Sequence, residues 1–258
     1  MVVLKTKKNE FSTIWPDYGR AKIGLLVPAT NAVMEDEFHA LAPEDVVIAT
    51  ARMLHRGRKL GDTFAEMLRK MSTDIPNAAL KISRIFPDVV AFGCTSGSFL
   101  EGEDWNKKIT KDLSEIVSPA KVVTTSTAVK NALRKLKLEK IAVVTPYPDD
   151  INNRLKSYLE SQEFNVVRLD TSHGLGPATF IRSNKMAYHL AKRIDGSDID
   201  GIFISCTDFR TIEVLDALER DVGKPVVSSN QATMWDCLRV AKIGDKIEGC
   251  GILLRRGS

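Results

Sequence analysis

The chain has 258 residues, 43% hydrophobic and 27% charged, with a formal net charge of +4. This is the balance of a globular protein, long enough for a real core and for two lobes. The charge is mild: Lys5 to Lys8 lie at the terminus and Arg134 to Lys140 are broken by apolar residues. Both clusters read as solvated faces, so no nucleic-acid partner is expected. No apolar run approaches the ~18 residues of a membrane span. The first residues lack the apolar core of a signal peptide, which makes the cytoplasm the expected compartment. The cysteines at 94, 206, 237 and 250 have no C-x-x-C or zinc spacing, so reduced thiols and no metal are expected.

In chain order, residues 1–20 read as an exposed lead-in. Lys22 to Pro28 is a buried strand ending at proline. Asn31 or Thr30 is placed to cap a helix from Met34 to Leu41. Val46 to Met53 is a second strand. Apolar spacing over 62–85 predicts helix, with Pro76 as a break or kink. Val89 to Gly93 is a short apolar run of strand length, bounded by Phe86-Pro87-Asp88 and ending in Cys94-Thr95-Ser96-Gly97-Ser98. A helix near 104–117, a strand over Ala120 to Thr125 and a helix from about Ala128 to Leu136 follow.

The second half repeats the first. Lys140 to Pro146 matches Lys22 to Pro28 in residue type, and Val166 to Leu169 stands where Val47-Ile48 stood. The spacing of Phe180, Ile181, Met186, Leu190 and Ile194 predicts a helix over 178–194. Ile199 to Cys206, with Thr207 after it, matches the Cys94 strand, and Lys224 to Asn230 matches the strand from Lys121. A repeat of roughly a hundred residues is too long for a solenoid. It predicts an α/β protein of two similar lobes, each a parallel four-stranded sheet flanked by helices, related by a pseudo-twofold axis. Each cysteine falls at the carboxyl end of a third strand, the edge where α/β sheets bind ligands. If the lobes face each other, Cys94 and Cys206 meet in the cleft between them. Buried structural thiols are the bland reading of either cysteine alone, but the duplicated context favours a shared site.

Several segments resemble the aspartate/glutamate racemase superfamily, in its maleate isomerase and arylmalonate decarboxylase branch. They are Gly24 to Glu35, Cys94 to Phe99, Thr145-Pro146-Tyr147, Ser205-Cys206-Thr207, and Pro225 to Ala232 with Trp235. The resemblance runs from about residue 20 to 255 and implies the same two-lobed fold. It also implies that the fourth strand of each half crosses to the other lobe. Residues 1–119 with 226–258 would then form the lobe carrying Cys94, and 120–225 the lobe carrying Cys206. It implies no cofactor and a small carboxylate or dicarboxylate substrate. A homo-oligomer is allowed. By resemblance Cys94 is the nucleophile and Cys206 the acid/base, while Asn31, Thr95, Ser96, Tyr147 and Thr207 bind substrate. Arylmalonate decarboxylase has glycine at the first cysteine position, so Cys94 favours a cis-trans isomerase over that decarboxylation. Racemisation is the other alternative. Asp208 would repel a bound anion unless it turns away or meets Arg210. The groups that hold a carboxylate, helix N-termini and aimed N–H groups, also lower a thiol's pKa.

Other candidates are weaker. His39, His55, His173 and His189 have no metal-ligand spacing. Gly174-x-Gly176 lacks the rest of a dinucleotide fingerprint. Asp149-Asp150 and Asp195, Asp198 and Asp200 fit turns and caps. Cys237 and Cys250 lack the strand-end context and read as packing. A binding protein that holds a small acid unchanged would need the cleft but not two thiols.

Overall fold

The computed structural model describes residues 19–57, 59–176 and 182–257. In the first half, β1 (Ala21–Pro28), β2 (Val46–Met53), β3 (Val89–Phe92) and β4 (Lys121–Thr124) alternate with α1 (Met34–Leu41), α2 (Phe64–Ser72), α3 (Ile75–Ser83), α4 (Thr95–Phe99) and α5 (Glu103–Val117). After α6 (Thr125–Lys135) the pattern returns as β5 (Lys140–Thr145), α7 (Asp149–Ser161), β6 (Asn165–Thr171), α8 (Asn184–Ile194) and β7 (Gly201–Ile204). A 3₁₀ turn (Ile212–Val214), α9 (Leu215–Val222), β8 (Val226–Ser228), α10 (Ser229–Val240) and α11 (Ile252–Arg255) complete it. No described helix is long and apolar enough to cross a membrane.

The strands form two parallel four-stranded sheets, ordered β2-β1-β3-β4 and β6-β5-β7-β8. The orders are the same, so the repeat read in the sequence is a repeat of topology. The central strands β1, β3, β5 and β7 are buried almost throughout, as both-face coverage by helices demands of parallel strands. Leu26 pairs with Phe92 and Val144 with Ile204. Each cysteine therefore stands two residues beyond the last paired residue of its third strand.

The expected exchange of fourth strands does not occur: β4 pairs with β3 and β8 with β7. Lys121–Thr124 and Val226–Ser228 thus stay with the sheets of their own halves, contrary to boundaries at 119/120 and 225/226. The crossover through α5 returns β4 beside β3, where Val90 pairs with Val122 and extends the apolar sheet. Helices make the exchange instead. α6 packs on β8 as well as β4, while α10 packs on α1, α6, β3 and β4.

The predicted helix over 62–85 is two helices. Pro76 lies in the first turn of α3, where its missing N–H costs no hydrogen bond. The helix expected over 178–194 is described from Asn184, with the Ser183 side chain accepting from the Met186 N–H; residues 178–181 lie outside the described residues. The segment 149–161 is α7, and Asp149 and Asp150, for which turn and cap roles were expected, both lie in its first turn.

Candidate active site

Both cysteines open into one cavity of about 260 Å³ between the halves. It is lined from the first half by Pro28, Thr30, Asn31, Thr95 and Ser96, and from the second by Tyr147, Thr207 and Asp208. All seven site residues expected from the sequence therefore meet in one place. Sequence reasoning missed Arg182, His55 and the apolar wall of Phe64, Met67 and Leu68 that α2 presents. The apolar α2 positions were legible as a helix face, but their facing a cavity was not. Arg182 carried no pattern of its own.

Cys94 is the N-cap residue of α4, and its sulfur accepts the Gly97 N–H at 3.3 Å. Ser96 Oγ lies 3.9 Å from the same sulfur. A Cβ on Gly97 would come within 2.9 Å of that sulfur, so glycine here makes room for the thiol. The N–H groups of Thr95 and Ser96 belong to the first turn, where a helix has no internal acceptors for them. Cys206 follows β7 with φ +115°, a left-handed conformation that strains any side-chain-bearing residue. Its sulfur accepts the Asp208 N–H at 3.4 Å.

Several polar groups are already engaged. Asn31 Oδ1 accepts from the N–H groups of Val33 and Met34, holding the start of α1. Its Nδ2 donates to Thr207 Oγ1 at 3.0 Å, and that hydroxyl donates to the Gly93 carbonyl. Thr95 donates its hydroxyl proton to Ser229. Thr95 and Thr207 hydroxyl protons are thus spent within the protein. Ser96, the Tyr147 phenol and the second Asn31 amide hydrogen are the better donors for a bound anion. Tyr147 is fully buried, packed against Phe64 and Phe99, and accepts from Ser205 Oγ at 3.4 Å.

Asp208 does not meet Arg210, which pairs with Asp36 and Glu213. It pairs instead with Arg182 at 2.6 Å and accepts the Ala32 N–H at 3.3 Å. Burial still pushes the Asp208 carboxyl above the usual carboxylate range, with Arg182 and the Ala32 N–H opposing. Among the described residues, Arg182 Nε is buried without a hydrogen-bond partner.

The expected lowering of the thiol pKa values is reversed. Burial pushes Cys94 up to about 11, against the Gly97 N–H and Ser96, with the Asp208 charge adding to the rise. Cys206 rises to about 12, from burial and then Asp208, with Arg182, the Asp208 N–H and Tyr147 opposing. One N–H aimed at a sulfur does not offset removal of the thiolate from water. Both thiols rest protonated at neutral pH. Alkylation of Cys94 by iodoacetamide should therefore rise about tenfold per pH unit from pH 7 to 10, following the thiolate fraction. A plateau below pH 9 would contradict this.

Two facing α/β halves of equal topology with a cavity between them at their strand ends are the fold of the aspartate/glutamate racemase superfamily, in the branch of maleate isomerases and arylmalonate decarboxylase, and here each half sets a cysteine over that cavity. The family model described as arylmalonate decarboxylase matches residues 23–254, and the chain belongs to that family. The chain is 29% identical to the arylmalonate decarboxylase of Bordetella bronchiseptica over 232 residues, covering 87% of this chain and 92% of that protein. It is 26% identical to the maleate isomerase of Nocardia farcinica, covering 93% of this chain and 98% of that one. The structure of a cysteine-to-serine variant of N. farcinica maleate cis-trans isomerase, holding a covalently bound succinylcysteine intermediate, superposes with a TM-score of 0.82. It is 24% identical, with 92% of this chain and 99% of that chain covered. The relatives are enzymes, and an enzyme of this family is what the chain encodes.

Proposed function

We propose that the protein is a cofactor-independent cis-trans isomerase of a small dicarboxylate, maleate being the simplest. The observation that carries this reading is the presence of both thiols, one from each half, on the wall of a single cavity. The succinylcysteine in the N. farcinica isomerase variant supports covalent chemistry for that fold.

In this mechanism the Cys94 S–H adds across the double bond. Sulfur bonds to C2, and the displaced electron pair passes through C3 into the adjoining carboxylate as an enediolate. Ser96, Tyr147 and Asn31 hold that charge. Cys206 gives its proton to C3 and recovers one from Cys94, so charge and protons balance. The C2–C3 bond is now single and turns. In the reverse sense Cys206 hands its proton to the departing Cys94 sulfur and takes the C3 proton in exchange, so both thiols end as they began and the trans isomer is released. Because both thiols begin protonated, addition of the thiol as a neutral unit avoids a free thiolate beside a dianion. Arg182, which lines the cavity and is held by Asp208, would face the second carboxylate.

The deciding experiment incubates the protein with maleate, amino acids and substituted malonates in deuterated water and reads the products by NMR. Fumarate from maleate is expected. Turnover only of an amino acid or a malonate would replace this reading by racemisation or decarboxylation. Tyr147→Phe should lower kcat/KM by roughly tenfold to a thousandfold, the range for losing one oxyanion donor. Unchanged kinetics would remove Tyr147 from the site.

A further inference from the structure

One oxygen atom touches both cysteine segments. Ser229, fully buried at the start of α10, accepts the Cys206 backbone N–H at 3.1 Å and the Thr95 hydroxyl at 2.9 Å. The first contact holds the strained residue of the second half, whose φ is +115°. The second holds the residue directly after Cys94. Strained backbone persists only where its surroundings fix it, and a neighbour of Ser229 adds to the grip. Asn230 Nδ2 donates to the Thr207 carbonyl at 3.1 Å and to the buried Glu37 carboxylate at 2.6 Å. The peptide groups of Cys206 and Thr207 are thus held by consecutive residues of one helix.

The helix start does not need the Ser229 hydroxyl. Ser228 Oγ caps α10 by accepting the Gln231 N–H, and the Gln231 side chain returns the bond to the Ser228 N–H. The Ser229 carbonyl separately accepts from Thr233 Oγ1 at 2.7 Å. The side chain of Ser229 is therefore spent on the two thiol segments and not on its own helix.

We infer that Ser229 is a positioning residue, setting the Cys206 thiol against the Cys94 segment so that both address one substrate carbon pair. This rests on the two-thiol reading of the site. It predicts that Ser229→Ala lowers kcat for maleate by about tenfold to a hundredfold, the scale for a displaced catalytic group, with KM changed less than about threefold. Released from its strained backbone, Cys206 should alkylate at least about threefold faster with iodoacetamide, read peptide by peptide in mass spectra. Cys237, fully buried, reports folding in the same digest by staying unmodified. Ser229→Thr keeps the oxygen and should recover most of kcat.

A kcat and a Cys206 alkylation rate within about twofold of the parent in Ser229→Ala would overturn the assignment. So would equal loss in Ser229→Ala and Ser229→Thr with Cys237 reactive in both, which marks ordinary packing. The alkylation arm needs no turnover. If the parent protein isomerises nothing, the functional reading falls while the placement of Cys206 by Ser229 is still decided.

Discussion

Cys94→Ala should abolish isomerisation, and Cys206→Ser should leave a protein carrying a succinyl adduct on Cys94. The asymmetry follows from the geometry. Cys94 sits against the Gly97 N–H at the head of α4, beside the Ser96 hydroxyl. A sulfur so placed adds next to the groups that hold the developing enediolate. Cys206 lies across the cavity, its sulfur beside the Asp208 N–H and the Tyr147 hydroxyl, suited to moving a proton. Serine at 206 can still pass a proton slowly to C3, but its alkoxide is a far costlier state than a thiolate, so removal of the C3 proton stalls. Intact-protein mass spectrometry of Cys206→Ser with maleate should show one added substrate mass, and peptide mapping should place it at Cys94. The loss of turnover in Cys94→Ala is expected to reach about a millionfold, as for other nucleophile deletions. A Cys206→Ser protein that stays unmodified while Cys94→Ala still exchanges the α-hydrogen of an amino acid would point to two-base proton transfer. Full activity in the double alanine variant would end the two-thiol account altogether.

What the sequence made legible was what repeats. The strand–cysteine–threonine unit occurs twice, so the halves, the third-strand position of each thiol and the shared cavity all followed from pattern. The resemblance implied that the fourth strands change lobes, and short strands such as Lys121–Thr124 and Val226–Ser228 carry no partner information of their own to oppose it. Only the hydrogen-bond ladder says which sheet they join. Ser229 was equally hidden. Its hydroxyl matters because helix α10 brings it between Thr95 and Cys206, residues 134 and 23 positions away. The thiol pKa values were misjudged for a related reason. A helix start can be read from sequence, but the enclosure of both sulfurs, the largest cause of the rise, cannot. Asp208 itself was noticed as an awkward charge, and Arg210 was the nearest cation in sequence. Arg182 is the nearest in space.

Replacing Arg182 by methionine should therefore damage the site through the charge it leaves behind. Asp208 is enclosed, its side chain 18% exposed against 33% for Arg182, and the two meet at 2.6 Å. Breaking a fully buried pair costs roughly 3–5 kcal/mol because one charge stays behind unpaired. The partial exposure here reduces that to about 2 kcal/mol. The consequence for function is the sum of two effects with the same sign. In the proposed binding mode the guanidinium faces a second substrate carboxylate, so its loss should raise KM for maleate. The Asp208 charge is no longer compensated beside the thiols, so Cys206, which Arg182 holds down and Asp208 pushes up, moves further from ionisation. Together kcat/KM should fall by roughly thirtyfold to a hundredfold at pH 7.5, the scale of losing one hydrogen bond to a charged group, about 2–3 kcal/mol. Cys206 then gives up its proton to C3 less readily, so kcat falls as well as KM rising. Arg182→Met with Asp208→Asn removes both charges, so it should restore much of kcat while KM stays high, since no cation returns. That double-variant cycle separates the two effects. If Arg182→Met alone leaves KM and kcat as they were, Arg182 takes no part in binding, and Asp208 is kept in the cavity for some purpose other than holding it.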